Sequence, residues 1–205
     1  MQKHKGHNPA LIPRWRTAMT RKKLSRPVRL SEAFGFYSKK ETILDYGCGR
    51  GFDVAELARK GFPATGWDPH FFPGFSKEAA DTVNLGYVLN VIEDAAERKK
   101  VLKDAFALAN KRLVVAVRPA DAANGLKKAK KLGDGFVTKS GTFQKFFSRE
   151  ELGAYLADVT GTRPYIIASG IAVLFKNEKA EAAFIKAWAA KHHGRKIQPY
   201  RFIRL

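Results

Sequence analysis

The side chains best placed to do chemistry lie in a glycine cluster and in an acid that follows it. The segment 43–51 reads ILDYGCGRG, and Asp68 ends the next apolar stretch, 17 residues after Gly51. In an open α/β sheet, ligands bind outside the carboxyl ends of the strands, and glycines there let the backbone approach a ligand closely. An acid at the end of the second strand can accept hydrogen bonds from ribose hydroxyls. The pair therefore predicts a cofactor that contains a nucleoside.

The glycine spacing and Asp45 narrow the choice of cofactor. A dinucleotide site needs the spacing G-x-G-x-x-G, but Phe52 occupies the position of the third glycine. A pyrophosphate also needs a neutral or positive loop, whereas Asp45 precedes this one. An acid at that point suits a cofactor with a cationic amino-acid portion. A nicotinamide cofactor and a purely structural turn are the alternatives, and Cys48 is interpreted as a small loop residue that the cofactor covers.

Hydrophobic periodicity and breaker residues predict the elements that position these side chains. Asp94 with Glu97, and Ser148 with Glu151, have the spacing of capping boxes and each predicts a helix start. The predicted strands cover 42–46, 64–67, 82–91, 113–117, 165–168 and 171–175, and the predicted helices cover 53–60, 94–111, a segment from 148 onward, and 178–192.

This alternation of strands and helices predicts an α/β fold with a Rossmann-like, doubly wound and mostly parallel sheet. Ser169-Gly170 between two apolar runs predicts a terminal hairpin that adds an antiparallel strand. Only residues 69–81 separate the second strand from the apolar run at Thr82. That segment is too short for a helix and a strand, so the third strand is expected to be missing or reduced.

The net charge of +19 is concentrated at the two ends of the chain. Residues 1–40 carry a net +10 and residues 182–205 a net +6, while residues 41–181 carry only +3. The chain is therefore divided into a basic N-terminal arm (1–27), an ordered domain (28–177), and a basic C-terminal helix and tail (178–205). Basic ends on a nearly neutral body are typical of polyanion binding, so nucleic acid is the expected partner and a merely solubilising surface the alternative. The arm is expected to contact phosphate independently of the cofactor site.

Composition argues against several other classes. Hydrophobic residues make up 45% and charged residues 28%, values close to those of globular domains. Cys48 is the single cysteine, which excludes an intrachain disulfide framework and indicates a reducing compartment. No apolar stretch reaches the ~20 residues of a bilayer span, so a cytoplasmic location without a membrane partner is expected. The histidines and Cys48 lack metal-ligand spacing, and no metal is predicted.

Candidate substrate-binding residues follow the strand at 113–117 and the lysine-rich segment 127–131. Phe143 is predicted to stack on a base, while Gln144 and Lys145 contact polar edges or phosphate. Packing in the core is the alternative for the phenylalanine. Arg26 is predicted to reach over the cofactor edge or to contact a phosphate.

The arrangement acid-x-GCGxG with a later strand-end acid resembles that of class I S-adenosylmethionine-dependent methyltransferases. The chain is most similar to the methyltransferases associated with bacterial DNA phosphorothioation, over about residues 20–176. The segments that carry this resemblance are SRPVRL (25–30), LDYGCGRG (44–51), GWDP (66–69), VNLGYVLNVIED (83–94) and GTFQKFF (141–147).

The resemblance implies S-adenosylmethionine as cofactor and assigns roles to individual residues. Asn90 and Tyr87 lie where methyltransferases place the end of the fourth strand, and there they would contact the methyl acceptor. Capping of the next turn is the alternative for Asn90. The residues implied to bind the cofactor are Asp45, Gly47, Cys48, Gly49, Gly51, Asp68 and Asn84.

The implied function is a methyltransferase that acts on, or together with, nucleic acid in a DNA-modification context, with other proteins of such a system as partners. An RNA acceptor (ribosomal or transfer RNA) and a non-catalytic nucleic-acid-binding or assembly factor are the alternatives. The sequence has no Asp/Asn-Pro-Pro-aromatic motif and no Pro-Cys motif, so the usual DNA base methylases are disfavoured. Methyl transfer from a sulfonium depends mainly on positioning, and no side chain stands out as a general base.

Overall fold

The computed structural model describes residues 12–126 and 129–201. Its regular elements follow the predicted alternation of strands and helices. They are α1 (Arg26–Ala33), β1 (Ile43–Tyr46), α2 (Phe52–Arg59), β2 (Ala64–Trp67), β3 (Ala80–Gly86), α3 (Ala95–Leu108), β4 (Ala109–Ala116), β5 (Lys130–Leu132), β6 (Gly135–Val137), β7 (Phe143–Gln144), α4 (Arg149–Thr160), β8 (Tyr165–Ala168), β9 (Ile171–Phe175) and α5 (Glu178–Lys191).

The main sheet has six strands in the order β2-β1-β3-β4-β9-β8. The first four strands are parallel, and β9 runs antiparallel to both β4 and β8. This confirms the α/β fold with a mostly parallel sheet and a terminal hairpin. In the described residues β2 is an edge strand, and the segment between Trp67 and Ala80 adds no strand beyond it. The expected loss of the third strand is therefore confirmed.

Helices cover both faces of this sheet. On one face, α3 and α4 pack through Leu102, Leu152 and Leu156 against alternate residues of β1, β3 and β4. On the other face, α1, α2 and α5 pack against the remaining residues of these strands and against the terminal hairpin. Because both faces are covered, the strands bury side chains in both directions, as in a doubly wound sheet.

Both predicted capping boxes begin a helix. The Asp94 carboxylate accepts a hydrogen bond from the Glu97 N–H at 2.6 Å, and the Ser148 hydroxyl accepts one from the Glu151 N–H at 3.0 Å. Helix α3 ends at Leu108, before the predicted end at residue 111, because Ala109 already has extended backbone and starts β4.

The apolar run 82–91 differs from its prediction as one long strand. Strand β3 ends at Gly86, and Tyr87 has a left-handed backbone with φ of 63°. A 3-10 turn, Leu89–Val91, follows it. The chain turns here because Tyr87 leaves the extended conformation, while its N–H still donates to the Ala116 carbonyl of β4 at 2.7 Å.

A second, three-stranded antiparallel sheet, in the order β5-β6-β7, was not predicted from the sequence. Its turn carries Asp134, which binds the Arg98 guanidinium at 2.7 Å and 3.0 Å. Arg98 is 2% exposed and also donates to the Ile92 carbonyl at 3.1 Å and 2.9 Å. One buried side chain thus joins helix α3, the turn after β3 and the small sheet.

The two basic ends lie at opposite edges of the main sheet. Arg26 begins α1 and donates to the Ser169 carbonyl at 3.4 Å, in the hairpin beside the carboxyl end of β4. The Tyr200 N–H donates to the Pro164 carbonyl at 2.8 Å, just before β8 and toward the amino edge. Helix α1 starts at Arg26 with Pro27 in its first turn, where a missing N–H is tolerated. The predicted boundary at residue 27 therefore falls inside α1.

None of the helices in the described part of the chain is long and apolar enough to cross a membrane.

Replacing Arg98 with Leu is expected to lower the free energy of unfolding by roughly 2–3 kcal/mol, because it leaves the buried Ile92 carbonyl without its donor and Asp134 with Lys145 as its remaining cation. Replacing Lys99 with Leu is the matched control. Lys99 is exposed and pairs with Asp158 at 3.5 Å, so its loss is expected to change stability by less than about 1 kcal/mol. Urea unfolding of the two variants measures the difference, and equal midpoints would contradict the anchoring role of Arg98.

Candidate functional site

A cavity of about 1250 Å³ opens at the carboxyl ends of β1, β2 and β3. This is where an open α/β sheet binds its ligands. Pockets for one small molecule are usually about 300–1,000 Å³, so this cavity has room for a cofactor and part of a second ligand.

The glycine loop after β1 forms one wall of the cavity. Gly47 has φ of 82°, and a Cβ at this position would lie 2.4 Å from the Val88 side chain. Gly51 also has a positive φ, 77°, at the N-terminus of α2. Gly47 is therefore required both by its backbone conformation and by the close approach of the β3 turn. Gly47, Cys48 and Gly49 line the cavity as predicted, whereas Gly51 shapes the loop and is not among the lining residues.

Asp68 fixes the shape of this loop from the end of β2. One carboxylate oxygen accepts from the Gly49 N–H at 3.0 Å, and the other accepts from the N–H groups of His70 and Phe71 at 2.9 Å and 3.0 Å. The side chain lines the cavity, so lone pairs left on the carboxylate can accept from a ligand. The structure thus brings the predicted acid to the predicted loop.

Asp45 is buried at the end of β1, beside Asn84 of β3. The two residues are partners in the parallel β1–β3 register. Burial raises the pKa of the Asp45 carboxyl to about 7; the charges of Asp53 and Asp68 also raise it, while Arg21 lowers it. A positively charged ligand group beside Asp45 would relieve this cost.

Asn84 presents a free hydrogen-bond donor at the same point. Its Oδ1 accepts from the Tyr37 hydroxyl at 3.0 Å, and its Nδ2 is buried without a partner in the described residues. Since Asn84 lines the cavity, this donor is available to a ligand. A buried acid and a buried donor side by side are complementary to the ammonium and carboxylate of an amino acid.

Cys48 is a poor nucleophile in this setting. Burial, together with the charges of Asp45 and Asp68, raises the pKa of its thiol to about 12. The thiol is therefore protonated at neutral pH, in agreement with its interpretation as a small loop residue.

Asn90, Tyr87 and Gln144 come together on the opposite wall. All three line the cavity. The Asn90 Nδ2 donates to the Gln144 Oε1 at 3.1 Å, so the small sheet touches the turn after β3. The predicted acceptor-binding residues from two distant segments thus share one wall.

Two predicted substrate-binding residues point elsewhere. Phe143 is 1% exposed and packs beside the Arg98 guanidinium, so it is not available to stack on a base. Lys145 is 6% exposed and its amine binds Glu151 and Asp134. Both predictions are wrong: Phe143 is buried by packing beside Arg98, and the Lys145 amine is held by Asp134 and Glu151. Arg26 does line the cavity and remains exposed.

Residues 12–24, here called the N-terminal roof, cover the cavity instead of forming a free arm. Arg14 binds Glu93 at 2.8 Å and Glu97 at 2.6 Å and 2.7 Å, and these carboxylates raise its pKa. Trp15 stacks on His70 with 4.8 Å between ring centroids. A Cβ at Gly49 would lie 3.3 Å from the Ala18 side chain.

The roof corrects the expectation that the arm acts independently of the cofactor site, because several roof residues form part of the cavity wall. Residues 1–11 lie outside the described residues. Sequence reasoning missed Arg14 and Trp15; the apolar pair Ile12 and Trp15 within a basic segment was the available indication.

Seven cationic side chains that line the cavity are exposed or half-buried, and together they are here called the cationic mouth. In the described residues none of these side chains has a carboxylate partner at ion-pair distance. Their charge is therefore available to a ligand. The members of the mouth are Arg21, Lys22, Lys23, Arg26, Arg29, Arg50 and Arg118.

Replacing Asp45 with Asn is expected to stabilise the ligand-free protein, and more so at high pH. The pKa of Asp45 is about 7 in the folded chain and about 3.9 when unfolded, so its ionised form opposes folding. This penalty is absent below about pH 4, grows as the pH rises to 7 and is complete above 7; the gain of Asp45→Asn follows it, reaching a few kcal/mol. Urea unfolding across pH measures the gain, with exposed Asp121→Asn as control. A gain that does not change with pH would contradict the raised pKa.

Comparison with known proteins agrees with this geometry. A family model described as a methyltransferase domain matches residues 15–159. No protein with a curated function matches the chain in sequence.

Several solved structures share the fold. A methyltransferase from Methanosarcina mazei is 16% identical, with a TM-score of 0.54 over 75% of this chain and 97% of that one. The 1,6-didemethyltoxoflavin-N1-methyltransferase of Burkholderia thailandensis, solved with S-adenosylhomocysteine, is 17% identical, with a TM-score of 0.53 over 74% of this chain and 79% of that one. A sugar N-methyltransferase from Streptoalloteichus is 15% identical, with a TM-score of 0.53 over 76% and 89%.

Identities this low establish a shared fold and no shared substrate. The family model, in contrast, spans most of the chain, including the glycine loop, Asp68 and the turn after β3. The chain therefore belongs to the methyltransferase-domain family and is an S-adenosylmethionine-dependent methyltransferase.

Proposed function

We propose that this methyltransferase acts on nucleic acid, whose phosphates bind the cationic mouth while the acceptor group enters the cavity beneath the N-terminal roof. The observation that supports this proposal most strongly is the position of the unpaired cations. They line the cavity assigned to the cofactor, and in the described part of the chain no carboxylate lies at ion-pair distance from them.

S-adenosylmethionine fits the residues of the cavity. Asp45 is suited to its ammonium and Asn84 Nδ2 to its carboxylate, while Asp68 can accept from ribose hydroxyls. Gly47 and Gly49 line the cavity, and their lack of a Cβ lets Val88 and Ala18 approach the loop closely. When bound, the cofactor supplies a methyl group on a sulfonium.

The chain's own residues mainly bind and orient the reactants. The N-terminal roof, held by Arg14 on Glu93 and Glu97, forms part of the cavity wall. Holding reactants in a productive orientation can supply much of the rate of a displacement reaction. Catalysis by orientation does not need a general base, and in this site the Asp68 and Glu97 carboxylates are already engaged in hydrogen bonds.

The resemblance to the methyltransferases associated with DNA phosphorothioation favours DNA over RNA as the substrate. The same resemblance favours other proteins of such a modification system as partners. The same charge would attract RNA, because the phosphate contribution to binding does not depend on sequence.

A small phosphorylated molecule is the second candidate acceptor. The observation that favours it is the N-terminal roof, whose Trp15 stacks on His70 within the lining of the cavity. Under the nucleic-acid proposal only a single extruded base reaches the methyl group, as in other enzymes that act on bases.

Replacing Asp68 with Ala is expected to weaken S-adenosylhomocysteine about 100-fold, because charge-assisted hydrogen bonds to ribose are lost together with the bonds that shape the loop. Asp94→Ala is the matched control. Asp94 caps α3 outside the cavity lining, so its loss is expected to lower stability by ~1 kcal/mol without changing affinity. Calorimetric titration measures both variants, and an unchanged affinity in Asp68→Ala would contradict the cofactor assignment.

The triple variant Arg21→Gln, Lys22→Gln, Lys23→Gln is expected to bind a short DNA duplex more weakly and to lower the salt-dependence slope by about 3, as for lost phosphate contacts. Arg195→Gln, Lys196→Gln, Arg201→Gln removes the same charge from the tail near the opposite edge and is expected to have less effect. Fluorescence anisotropy at several salt concentrations measures the slopes. Equal losses in both variants would indicate binding by overall charge.

Transfer of labelled methyl groups from S-adenosylmethionine to bacterial genomic DNA, total RNA or a phosphorylated small-molecule fraction identifies the acceptor class. Label in DNA, reduced in the mouth variant, is expected. Label in RNA alone would show that RNA, and not DNA, is the substrate. Label confined to small molecules would support the second candidate acceptor.

A further inference from the structure

The wall that faces the cofactor loop contains a buried hydrogen-bond acceptor without a donor. Asn90 is 2% exposed, and its Oδ1 has no partner among the described residues. Leaving a buried carbonyl oxygen unpaired is costly, and such atoms in folded proteins usually have a specific role. Asn90 lines the cavity, so a ligand is the available source of a donor.

The Asn90 side chain is held in one orientation. Its Nδ2 donates to the Gln144 Oε1 at 3.1 Å, and its own carbonyl accepts from the Lys145 N–H at 2.8 Å. Gln144 is 8% exposed, so this amide pair is shielded from water. With the nitrogen turned to Gln144, the Asn90 oxygen is the atom left for the ligand.

Asn90 also lies close to where the methyl group must be. Under the proposed function, Asp45 and Asn84 hold the amino-acid end of the cofactor and Asp68 its ribose, so the sulfonium lies between these residues, beside the glycine loop. Val88, two residues before Asn90, packs on Gly47 in this loop. In the segment that connects β3 to α3, the turn Leu89–Val91 is therefore the part that faces the reacting centre.

The carboxylates of the cavity are engaged elsewhere. Asp53 accepts from the Ser25 N–H at 2.8 Å, Asp68 accepts from the glycine loop, and Glu97 binds Arg14. Asp45 lies beneath the loop, where it serves the cofactor. This arrangement favours a nucleophile that reacts as a neutral lone pair and needs no base to remove a proton beforehand.

We propose that the methyl acceptor is a nitrogen that carries at least one hydrogen, and that Asn90 Oδ1 accepts a hydrogen bond from that N–H. Gln144 is a positioning residue that turns the Asn90 oxygen toward the acceptor. This inference deepens the proposed function and rests on it, because it specifies the acceptor atom of the same cavity. An exocyclic amine of an extruded base meets the requirement.

The transfer step balances without a further reactant. The nitrogen lone pair forms the new N–CH₃ bond while the S–CH₃ bond breaks and its electron pair stays on sulfur, which gives neutral S-adenosylhomocysteine. The methylated nitrogen gains a positive charge and then releases its proton to water. Asn90 Oδ1 faces the N–H as this charge develops, so its hydrogen bond strengthens in the transition state.

The same geometry disfavours other acceptors. A carboxylate or thiolate would place a negative charge against the Asn90 carbonyl oxygen. A hydroxyl could donate to it but is a weak nucleophile until a base removes its proton.

The test uses sinefungin, an S-adenosylmethionine analogue in which an amine-bearing carbon replaces the methylated sulfonium. Its amine occupies the methyl position and can donate to Asn90 Oδ1. The full-length wild type is expected to bind sinefungin about 10-fold or more tightly than S-adenosylhomocysteine in calorimetric titrations. Asn90→Leu is expected to abolish this preference while it leaves the affinity for S-adenosylhomocysteine unchanged.

Gln144 supplies a matched pair of variants. Gln144→Glu keeps an oxygen that accepts from Asn90 Nδ2 and is expected to retain the preference for sinefungin. Gln144→Leu removes that oxygen and is expected to lose most of the preference. A merely structural role would change the affinities for both ligands together and would not be rescued by Glu.

Two results would overturn the inference. One is an unchanged ratio of the two affinities in Asn90→Leu with normal binding of S-adenosylhomocysteine, which would leave the proposed function intact. The other is a methyl group found on oxygen, carbon or sulfur in the labelled nucleic acid. Failure of the wild type to bind S-adenosylhomocysteine would instead contradict the cofactor site, and with it both proposals.

Discussion

The carboxylate of Asp45 is buried at the carboxyl end of β1, near the negative charges of Asp53 and Asp68, and the site is organised around this charge. Burial is the main reason that its pKa rises to about 7, and Arg21 offsets the effect only in part. A positively charged ligand beside Asp45 stabilises the ionised carboxylate and so lowers its pKa again. The unpaired Nδ2 of Asn84 lies beside Asp45 in the adjacent strand and is a hydrogen-bond donor suited to an anionic group. The ionised Asp45 side chain is thus less stable in the ligand-free protein than in a complex with a cationic ligand. Perturbed pKa values of this kind are typical of functional sites.

The turn after β3 brings the acceptor wall to the cofactor loop. Strand β3 ends at Gly86, and the left-handed Tyr87 redirects the chain so that Val88 packs on Gly47. A non-glycine residue in this conformation stores strain, of order 1–3 kcal/mol, and such strain is common at functional sites. Arg98 holds the far side of the turn through the Ile92 carbonyl and ties it to the small sheet at Asp134. Asn90 and Gln144 therefore meet through a scaffold that is anchored by one buried guanidinium.

Charge and access are combined in the N-terminal segment. The same residues that line the cavity also supply cations to its opening, so an anionic ligand attracted by the mouth is delivered to the cofactor. The clamp of Arg14 on Glu93 and Glu97 joins this segment to the start of α3. The tail lies toward the other edge, where Tyr200 meets Pro164, so its charge belongs to a separate surface.

The features of this protein that could be predicted from its sequence depend on local interactions. The capping boxes at Asp94 and Ser148 and the glycine loop involve residues a few positions apart, and β2, β8 and β9 have the predicted bounds. The inward turn of Phe143 and Lys145, the N-terminal roof and the placement of the tail were decided only by the tertiary structure. Arg98 and Asp134 are 36 residues apart, and Arg14 and Glu97 are 83 apart. Contacts over such separations leave no periodic pattern in the sequence, because each depends on where the sheet carries its partner.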